Sequence, residues 1–248
     1  MKNKVLFTII TLIALSLLAS CSQQSDALTV ATDAAFPPFE IIDEETKEII
    51  GFDIDLMNAI AEKAGLDIVY KNVAWDPLLA GMAECQYDMA ISAMTITAAR
   101  AEQFSFSDPY INAGQIVAVQ IGNETINGPE DLVGMTVGAQ IGTTGSMEIE
   151  AIADTTLKVY DTYELAFLDL ANGQVDAVVA DYPLAVSFVN KYSDTLKVVG
   201  EVFTDENFGI AFCKDNNELI AQVNAALAEL IDEGFVEELV IKWYSSVD

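Results

Sequence analysis

The chain of 248 residues, long enough for one or two domains with a sizeable core, carries 11 Lys and Arg against 39 Asp and Glu, a formal charge of −28, and no histidine. So acidic a surface argues against nucleic acid, whose phosphates call for Lys and Arg, and it suits solubility and cationic partners. Without histidine there is no Ser-His-Asp or Cys-His nucleophile system and none of the usual His-containing zinc sites.

Lys2 and Lys4 precede an apolar run from Val5 to Leu18 and then small residues. That pattern reads as a secretory signal over residues 1–20, too short and wrongly flanked for a stable span. Its end, Leu18-Ala-Ser-Cys21, is similar to the lipobox of bacterial lipoproteins. The resemblance implies an exported protein with Cys21 lipid-modified, held at the outer face of the cell membrane or in the periplasm by the short tether 21–27. An ordinary signal peptide with a chance cysteine is the alternative. An exported protein permits a disulfide between Cys85 and Cys213, but they are far apart and form no Cys-x-x-Cys pattern. The expectation is two buried thiols, with a disulfide as the alternative.

Leu28 to Ala31 reads as a first buried strand, ending at Thr32-Asp33-Ala-Ala-Phe36-Pro-Pro-Phe39-Glu40, where two prolines forbid helix or central strand. Asp33 there is either a ligand group or the cap of a turn, and Phe39 reads as core. A hairpin-like excursion from Asp43 to Ile50 precedes Gly51-Phe-Asp-Ile-Asp-Leu56. That motif opens a helix with Leu56, Met57, Ile60 and Ala64 on one face, stopped by Gly65. A strand over Ile68 to Val73 follows. Asp76-Pro77 then predicts an N-cap and first helical position for a helix running to about Glu84.

Tyr87-Asp-Met-Ala-Ile91 returns to strand and leads into Ser92-Ala-Met-Thr-Ile-Thr-Ala-Ala-Arg100. Thr97 is the predicted N-cap of a short helix with Arg100 in its first turn. A cation there opposes the helix dipole, so it calls for another partner: Glu102, or an anionic ligand gripped by the guanidinium fork beside the Ser and Thr hydroxyls.

A second alternating series begins with a strand from Gly114 to Val119. Met135 to Ala139 is a strand, Gly142-Thr-Thr-Gly145 a tight turn, and Ser146 to Ala153 a helix. Val159-Tyr160 is a strand, Tyr163 to Ala171 a helix stopped by Asn172-Gly173, Asp176 to Ala180 a strand, and Leu184 to Asn190 a helix. The chain then crosses back as extended structure from Leu196 to Phe212 and ends in helices, the first with Leu219, Val223, Leu227 and Leu230 on one face. Two segments echo one another: Ala83-Glu-Cys-Gln-Tyr-Asp88-Met-Ala-Ile-Ser92 and Ala171-Asn-Gly-Gln-Val-Asp176-Ala-Val-Val-Ala180. With one in each half, the pattern predicts two similar α/β lobes, each with a mainly parallel sheet. Asp33, the Ser92–Arg100 stretch, Thr143-Thr144 and Asp181 all follow strand ends, where open α/β sheets bind ligands. The glycine turn at 142–145 offers helix N–H groups to a carboxylate, but it lacks the lysine of a nucleotide-binding P-loop.

These residues bring a family with them. Ala31-Thr-Asp-Ala-Ala-Phe-Pro-Pro-Phe-Glu40, Gly51-Phe-Asp-Ile-Asp-Leu56, Ile96-Thr-Ala-Ala-Arg100, Phe106-Ser-Asp-Pro-Tyr110, Gly142-Thr-Thr-Gly-Ser146, Val175-Asp-Ala-Val-Val-Ala-Asp181 and Phe208-Gly-Ile-Ala-Phe212 resemble motifs of the solute-binding proteins of polar amino acid ABC transporters. The resemblance covers residues 28–245. It implies a hinged, two-lobed type II periplasmic-binding-protein fold, with lobe 1 as 28–112 and 208–248 and lobe 2 as 113–207. It further implies a monomer without cofactor or metal, closing on a free amino acid and presenting it to a membrane permease, and no enzymatic activity. An amino-acid sensor and a dehydratase on the same fold are the alternatives.

By the same resemblance, Arg100 grips the ligand α-carboxylate, with Thr95 as hydroxyl and N–H donor and Thr143 and Thr144 donating from the second lobe. Asp181 and the Ala93 carbonyl receive the α-ammonium, with Met94 in the same stretch also counted as ligand-binding. Phe36 and Trp75 sandwich the side chain, and Asp33 reads its tip. Gln140 stands where glutamine binders of this family often carry a lysine. With Asp33 present and no cation beside it, the expected ligand is arginine or a lysine-like amino acid, with glutamine as the rival. Glutamate would bring two carboxylates together and is disfavoured.

Overall fold

The computed structural model describes residues 27–244, so the expected signal peptide, Cys21 and most of the tether lie outside the described residues. The chain opens with β1 (Leu28–Thr32) and a small meander, β2 (Ala35–Phe36), β3 (Glu40–Ile42) and β4 (Ile49–Ile50). Helix α1 (Phe52–Ala64), β5 (Ile68–Asn72), α2 (Trp75–Ala83), β6 (Met89–Ala90), α3 (Ala98–Ala101) and β7 (Ser105–Phe106) follow. After β8 (Ile111–Ala113) comes a second series. It comprises β9 (Gln115–Gln120), β10 (Thr136–Gln140), α4 (Thr144–Ala151), β11 (Thr156–Tyr160), α5 (Tyr163–Ala171), β12 (Ala177–Asp181), α6 (Tyr182–Lys191) and β13 (Leu196–Val199). The chain returns through β14 (Glu206–Phe208) and β15 (Ala211–Phe212) and finishes with α7 (Asn217–Asp232) and α8 (Phe235–Tyr244).

Two five-stranded sheets result, ordered β5-β1-β6-β15-β7 and β11-β10-β12-β9-β13. In each, three strands are parallel (β5, β1, β6 and β11, β10, β12) and the remaining two pairings are antiparallel. Four strands of each sheet therefore run the same way, as the mainly parallel pattern predicts, and one strand, β15 or β9, opposes them. The strands that arrive from the other lobe, β9 and β15, enter from the crossover end and so run against their neighbours. The echoed segments occupy equivalent places, because β6 pairs with β1 as β12 pairs with β10. Their shared aspartates do the same work: Thr29 N–H donates to Asp88 Oδ2 and Thr136 N–H to Asp176 Oδ2, each at 2.8 Å, at the start of the central strand. Between the sheets, β8 and β14 pair antiparallel, with Glu206 opposite Ala113.

Helix α1 buries Phe52, Leu56, Met57 and Ile60 and ends at Gly65, whose φ of 67° a side chain would strain. Leu219, Val223, Leu227 and Leu230 form the buried face of α7 as the spacing predicts. Phe39 is core, packed edge-on against Phe52 and Phe208.

Three local expectations change. Helix α2 begins at Trp75 with Ala74 in the cap position and no side-chain cap bond, so Asp76 lies inside the first turn, where an acid still suits the dipole. Helix α4 begins at Thr144 rather than Ser146 because the Thr143 hydroxyl accepts the Ser146 N–H and starts it. Gly145 thus falls in the first turn. A Cβ there would stand 2.7–2.9 Å from Tyr163 Oη, Gln115 Oε1 and the Val179 carbonyl, so only glycine lets the helix lie this close to the sheet. Finally, Cys85 and Cys213 are disulfide-bonded, Cα to Cα 4.9 Å, with Cys85 exposed and Cys213 half-buried. Cys85 lies just beyond α2 and Cys213 just beyond β15, and pairing of β15 with β6 brings these two ends together.

Candidate ligand-binding cleft

The loops at the carboxyl ends of β1, β6, β10 and β12 meet between the lobes around a narrow cavity. Phe36, Trp75, Ser92, Ala93, Thr95 and Arg100 line it from one side, and Thr143, Thr144 and Asp181 from the other.

Arg100 is positioned by the predicted cap: Thr97 Oγ accepts the Arg100 N–H and holds it in the four-residue α3. Its guanidinium donates to the Thr95 carbonyl at 2.8 Å and, across the cleft, to the Gly142 carbonyl at 3.2 Å. It also lies 5.1 Å from the Trp75 ring centroid, a cation–π contact. Burial pulls its pKa down to about 10 against the opposing pull of Asp181 and Glu206, so it stays cationic at neutral pH. Glu102 is not among its bonded partners. Facing it, Asp181 closes β12 and is pushed up to about 8, chiefly by burial and then by Glu206, while Arg100 and the Gln115 amide act the other way. Gln115 Nε2 donates to Asp181 Oδ1 at 3.0 Å and fixes its rotamer.

Six expected site residues behave differently. Met94 does not reach the cavity wall; its side chain is fully buried with Trp75, Leu78 and Phe104. Asp33 and Gln140 bond to one another across the cleft, Gln140 Nε2 to Asp33 Oδ2 at 3.1 Å, rather than lining the cavity. Burial raises the Asp33 pKa, and the Gln140 amide and the Trp75 backbone N–H oppose that rise. The threonine hydroxyls, expected as donors to a ligand, have given their single protons to the protein. Thr95 and Thr144 each donate to Glu206 Oε2 at 2.7 Å, and Thr143 to the Gln140 carbonyl at 2.8 Å. Such a hydroxyl can still accept, so toward a ligand these oxygens are acceptors and the remaining donors are backbone N–H groups.

Ser92, at the head of the expected Ser92–Arg100 stretch, does line the cavity, whereas sequence reasoning missed Gln115, Glu206 and the pair Glu40 and Asp53. Glu206 had a signal, since it lies two residues before buried Phe208 on a strand and therefore shares its face. Asp53 Oδ2 accepts the Ala93 N–H at 2.7 Å and the Tyr110 hydroxyl at 3.0 Å, and Glu40 Oε1 accepts the Ser92 hydroxyl at 2.7 Å. These bonds hold Ala93 in a left-handed conformation, φ 43°, at the cavity wall. The other two oxygens, Glu40 Oε2 and Asp53 Oδ1, are buried without a donor, an arrangement satisfied by one proton shared between the acids. Burial raises both, Asp53 to about 7 and Glu40 well above the usual carboxylate range, and the like charge of Asp53 raises Glu40 further. Carboxyls raised on folding contribute stability that is present in acid and lost as pH climbs through the folded value. The ligand-free protein is therefore expected to melt at progressively lower temperature as pH rises from about 5 to about 8. Asp53→Asn should flatten that dependence in thermal unfolding followed by circular dichroism, and an equally steep curve in the variant would remove Asp53 as its source.

Among the described residues no group of three or more acidic or cysteine side chains is arranged to hold a metal. Two α/β lobes joined by paired crossing strands, with an arginine and an aspartate facing one another in a closed cleft, define a hinged two-lobed binding protein. The chain belongs to the bacterial extracellular solute-binding proteins, family 3, whose model matches residues 28–246. The L-cystine-binding protein TcyJ of Escherichia coli K12 is 31% identical over 226 residues, covering 90% of this chain and 85% of its own. An ancestral arginine-binding protein bound to arginine superposes with a TM-score of 0.83 at 39% identity, covering 88% of this chain and 97% of that one. An ancestral arginine-binding protein bound to glutamine matches at 0.83 and 40%, with the same coverage.

Proposed function

We propose that this protein is the substrate-binding component of an ABC amino acid importer, capturing one free amino acid between its lobes and releasing it unchanged to a membrane permease. The observation that carries this reading is a guanidinium and a carboxyl, Arg100 and Asp181, lining opposite walls of one narrow cavity between the lobes. Arg100 faces the α-carboxylate together with N–H groups at the start of α4, and Asp181 with the Ala93 carbonyl receives the α-ammonium. Phe36 and Trp75 flank the side chain. Lobe 1 as 28–112 and 208–248 and lobe 2 as 113–207 agree with one five-stranded sheet built from strands within 28–106 and 211–212 and the other from strands within 115–199. A ligand that touches both lobes stabilises their closed arrangement and shifts the population toward it. The Leu18-Ala-Ser-Cys21 motif supports attachment to the membrane through Cys21.

For the side chain the favoured ligand is arginine or a lysine-like amino acid. Asp181 and Glu206 both act on the one cation, Arg100, and Asp33 adds a third carboxyl beyond the cavity wall, so a ligand with an added positive charge is favoured over one with an added negative charge. A cation between aromatic faces gains about 0.5–2 kcal/mol more. Glutamine is the second reading, favoured by the Gln140 amide that already meets Asp33. Asp33→Asn decides between them. It should weaken arginine about tenfold to a hundredfold in isothermal titration, the worth of a charged hydrogen bond, and leave glutamine nearly unchanged. Equal weakening of both would make Asp33 a structural partner of Gln140 and remove the cationic assignment.

A further inference from the structure

Glu206 sits on β14, one of the two paired strands between the lobes, and is buried to 7% exposure. Its Oε2 accepts the Thr95 hydroxyl from one lobe and the Thr144 hydroxyl from the other, both at 2.7 Å. Its Oε1 accepts the hydroxyl of Thr204, two residues earlier, at 2.9 Å. Thr95 is itself tied to this segment by a backbone bridge to Phe208, and the Ile96 N–H donates to the Asn207 carbonyl. Glu206 is therefore tied to the Thr95 side through its strand and to β9 of the other lobe through Thr204, which accepts the Gln115 N–H, while the Thr144 bond is its direct contact with the far wall of the cleft.

We propose that Glu206 is a positioning residue of the cleft, a latch on the hinge whose single oxygen holds hydroxyls from both lobes and sets how long the closed state lasts. The Thr144 bond forms where α4 begins, so it can be made only when that helix has reached the opposite lobe. The same bonds commit both hydroxyl protons, leaving an acceptor oxygen on each wall, Thr95 on the side of Arg100 and Thr144 on the side of Asp181. Gln115 completes the connection, since its amide donates both to Thr144 Oγ at 3.2 Å and to Asp181. Closure, the acceptor character of the wall and the seat of Asp181 thus meet at one hinge carboxylate. This inference rests on the reading of the cleft as a ligand-capturing site.

The test reads lobe separation and ligand release separately. Nitroxide labels at Glu45→Cys and Asn190→Cys, exposed positions on opposite sides of the surface groove between the lobes, report their distance by double electron–electron resonance. In the free protein, Glu206→Ala should shift the distance distribution toward longer values. Stopped-flow displacement of arginine should show release at least about tenfold faster with association nearly unchanged. Glu206→Gln keeps an acceptor oxygen and should restore most of the closed population. Thr144→Val should reproduce part of the Glu206→Ala effect and add nothing to it in the double variant. Unchanged distances in Glu206→Ala, or full additivity with Thr144→Val, would overturn the latch. Should wild type bind no amino acid, the ligand reading fails while the distance measurement still decides the role of Glu206.

Discussion

Arg100→Ala is expected to weaken amino acid binding by about two to four powers of ten, with the fold intact. The guanidinium is 6% exposed and faces the cavity, so its removal leaves a ligand carboxylate buried without a counter-charge, at about 3–5 kcal/mol. The variant also loses the bond to the Gly142 carbonyl across the cleft, which adds to the loss by weakening closure. Asp181→Ala should cost a similar amount from the other end of the ligand. Asp181→Asn, which keeps shape and hydrogen bonding but not charge, should fall between. Titration calorimetry on folded variants checks this, with unfolding curves as the control. Affinity within about threefold of wild type in either alanine variant would place that residue outside the site.

Loss of the disulfide should be the largest stability effect. Cys85 and Cys213 close a loop with a sequence separation of 128, for which the chain-entropy account gives about 5 kcal/mol of destabilisation on opening. The bond ties the end of α2, which carries Trp75, to β15, which runs between β6 and β7. Its removal should therefore loosen lobe 1 and the Trp75 wall more than lobe 2. Urea unfolding of the Cys85→Ser, Cys213→Ser double variant should show a lower midpoint, and hydrogen exchange should place the lost protection around α2 and β15. An unchanged midpoint would mean that the contacts of β15 with β6 and β7 hold the sheet without the bond.

Features set by neighbouring residues were legible in the sequence. The apolar stripes of α1 and α7 follow from helical spacing, the Thr97 cap from its place before Ala-Ala-Arg, and the strand-end positions of Asp33, Arg100, Thr143 and Asp181 from alternating apolar runs. The echoed aspartates revealed the two-lobe repeat before their common role at the edge of β1 and β10 was visible. What stayed hidden depends on pairings between distant residues. Glu206 meets Thr95 across 111 positions and Gln115 meets Asp181 across 66. The acids Glu40 and Asp53 are buried together only because the meander folds onto α1 beside Ser92 and Ala93. The family resemblance assigned the threonine hydroxyls to a ligand, and a sequence cannot show where each hydroxyl sends its one proton.

The central claim is capture of a cationic amino acid, and a thermal-shift series tests it most directly. The mature protein, unfolded and refolded to strip carried-over ligand, would be melted with each of the twenty amino acids and with cystine. A ligand at about 1,000 times its Kd adds about 4 kcal/mol, equivalent to a rise of about 8–16 °C for a protein of this size. The account predicts that arginine gives the largest rise, with lysine next and glutamate giving none. No rise with any amino acid, or a rise with glutamate equal to that with arginine, would contradict it.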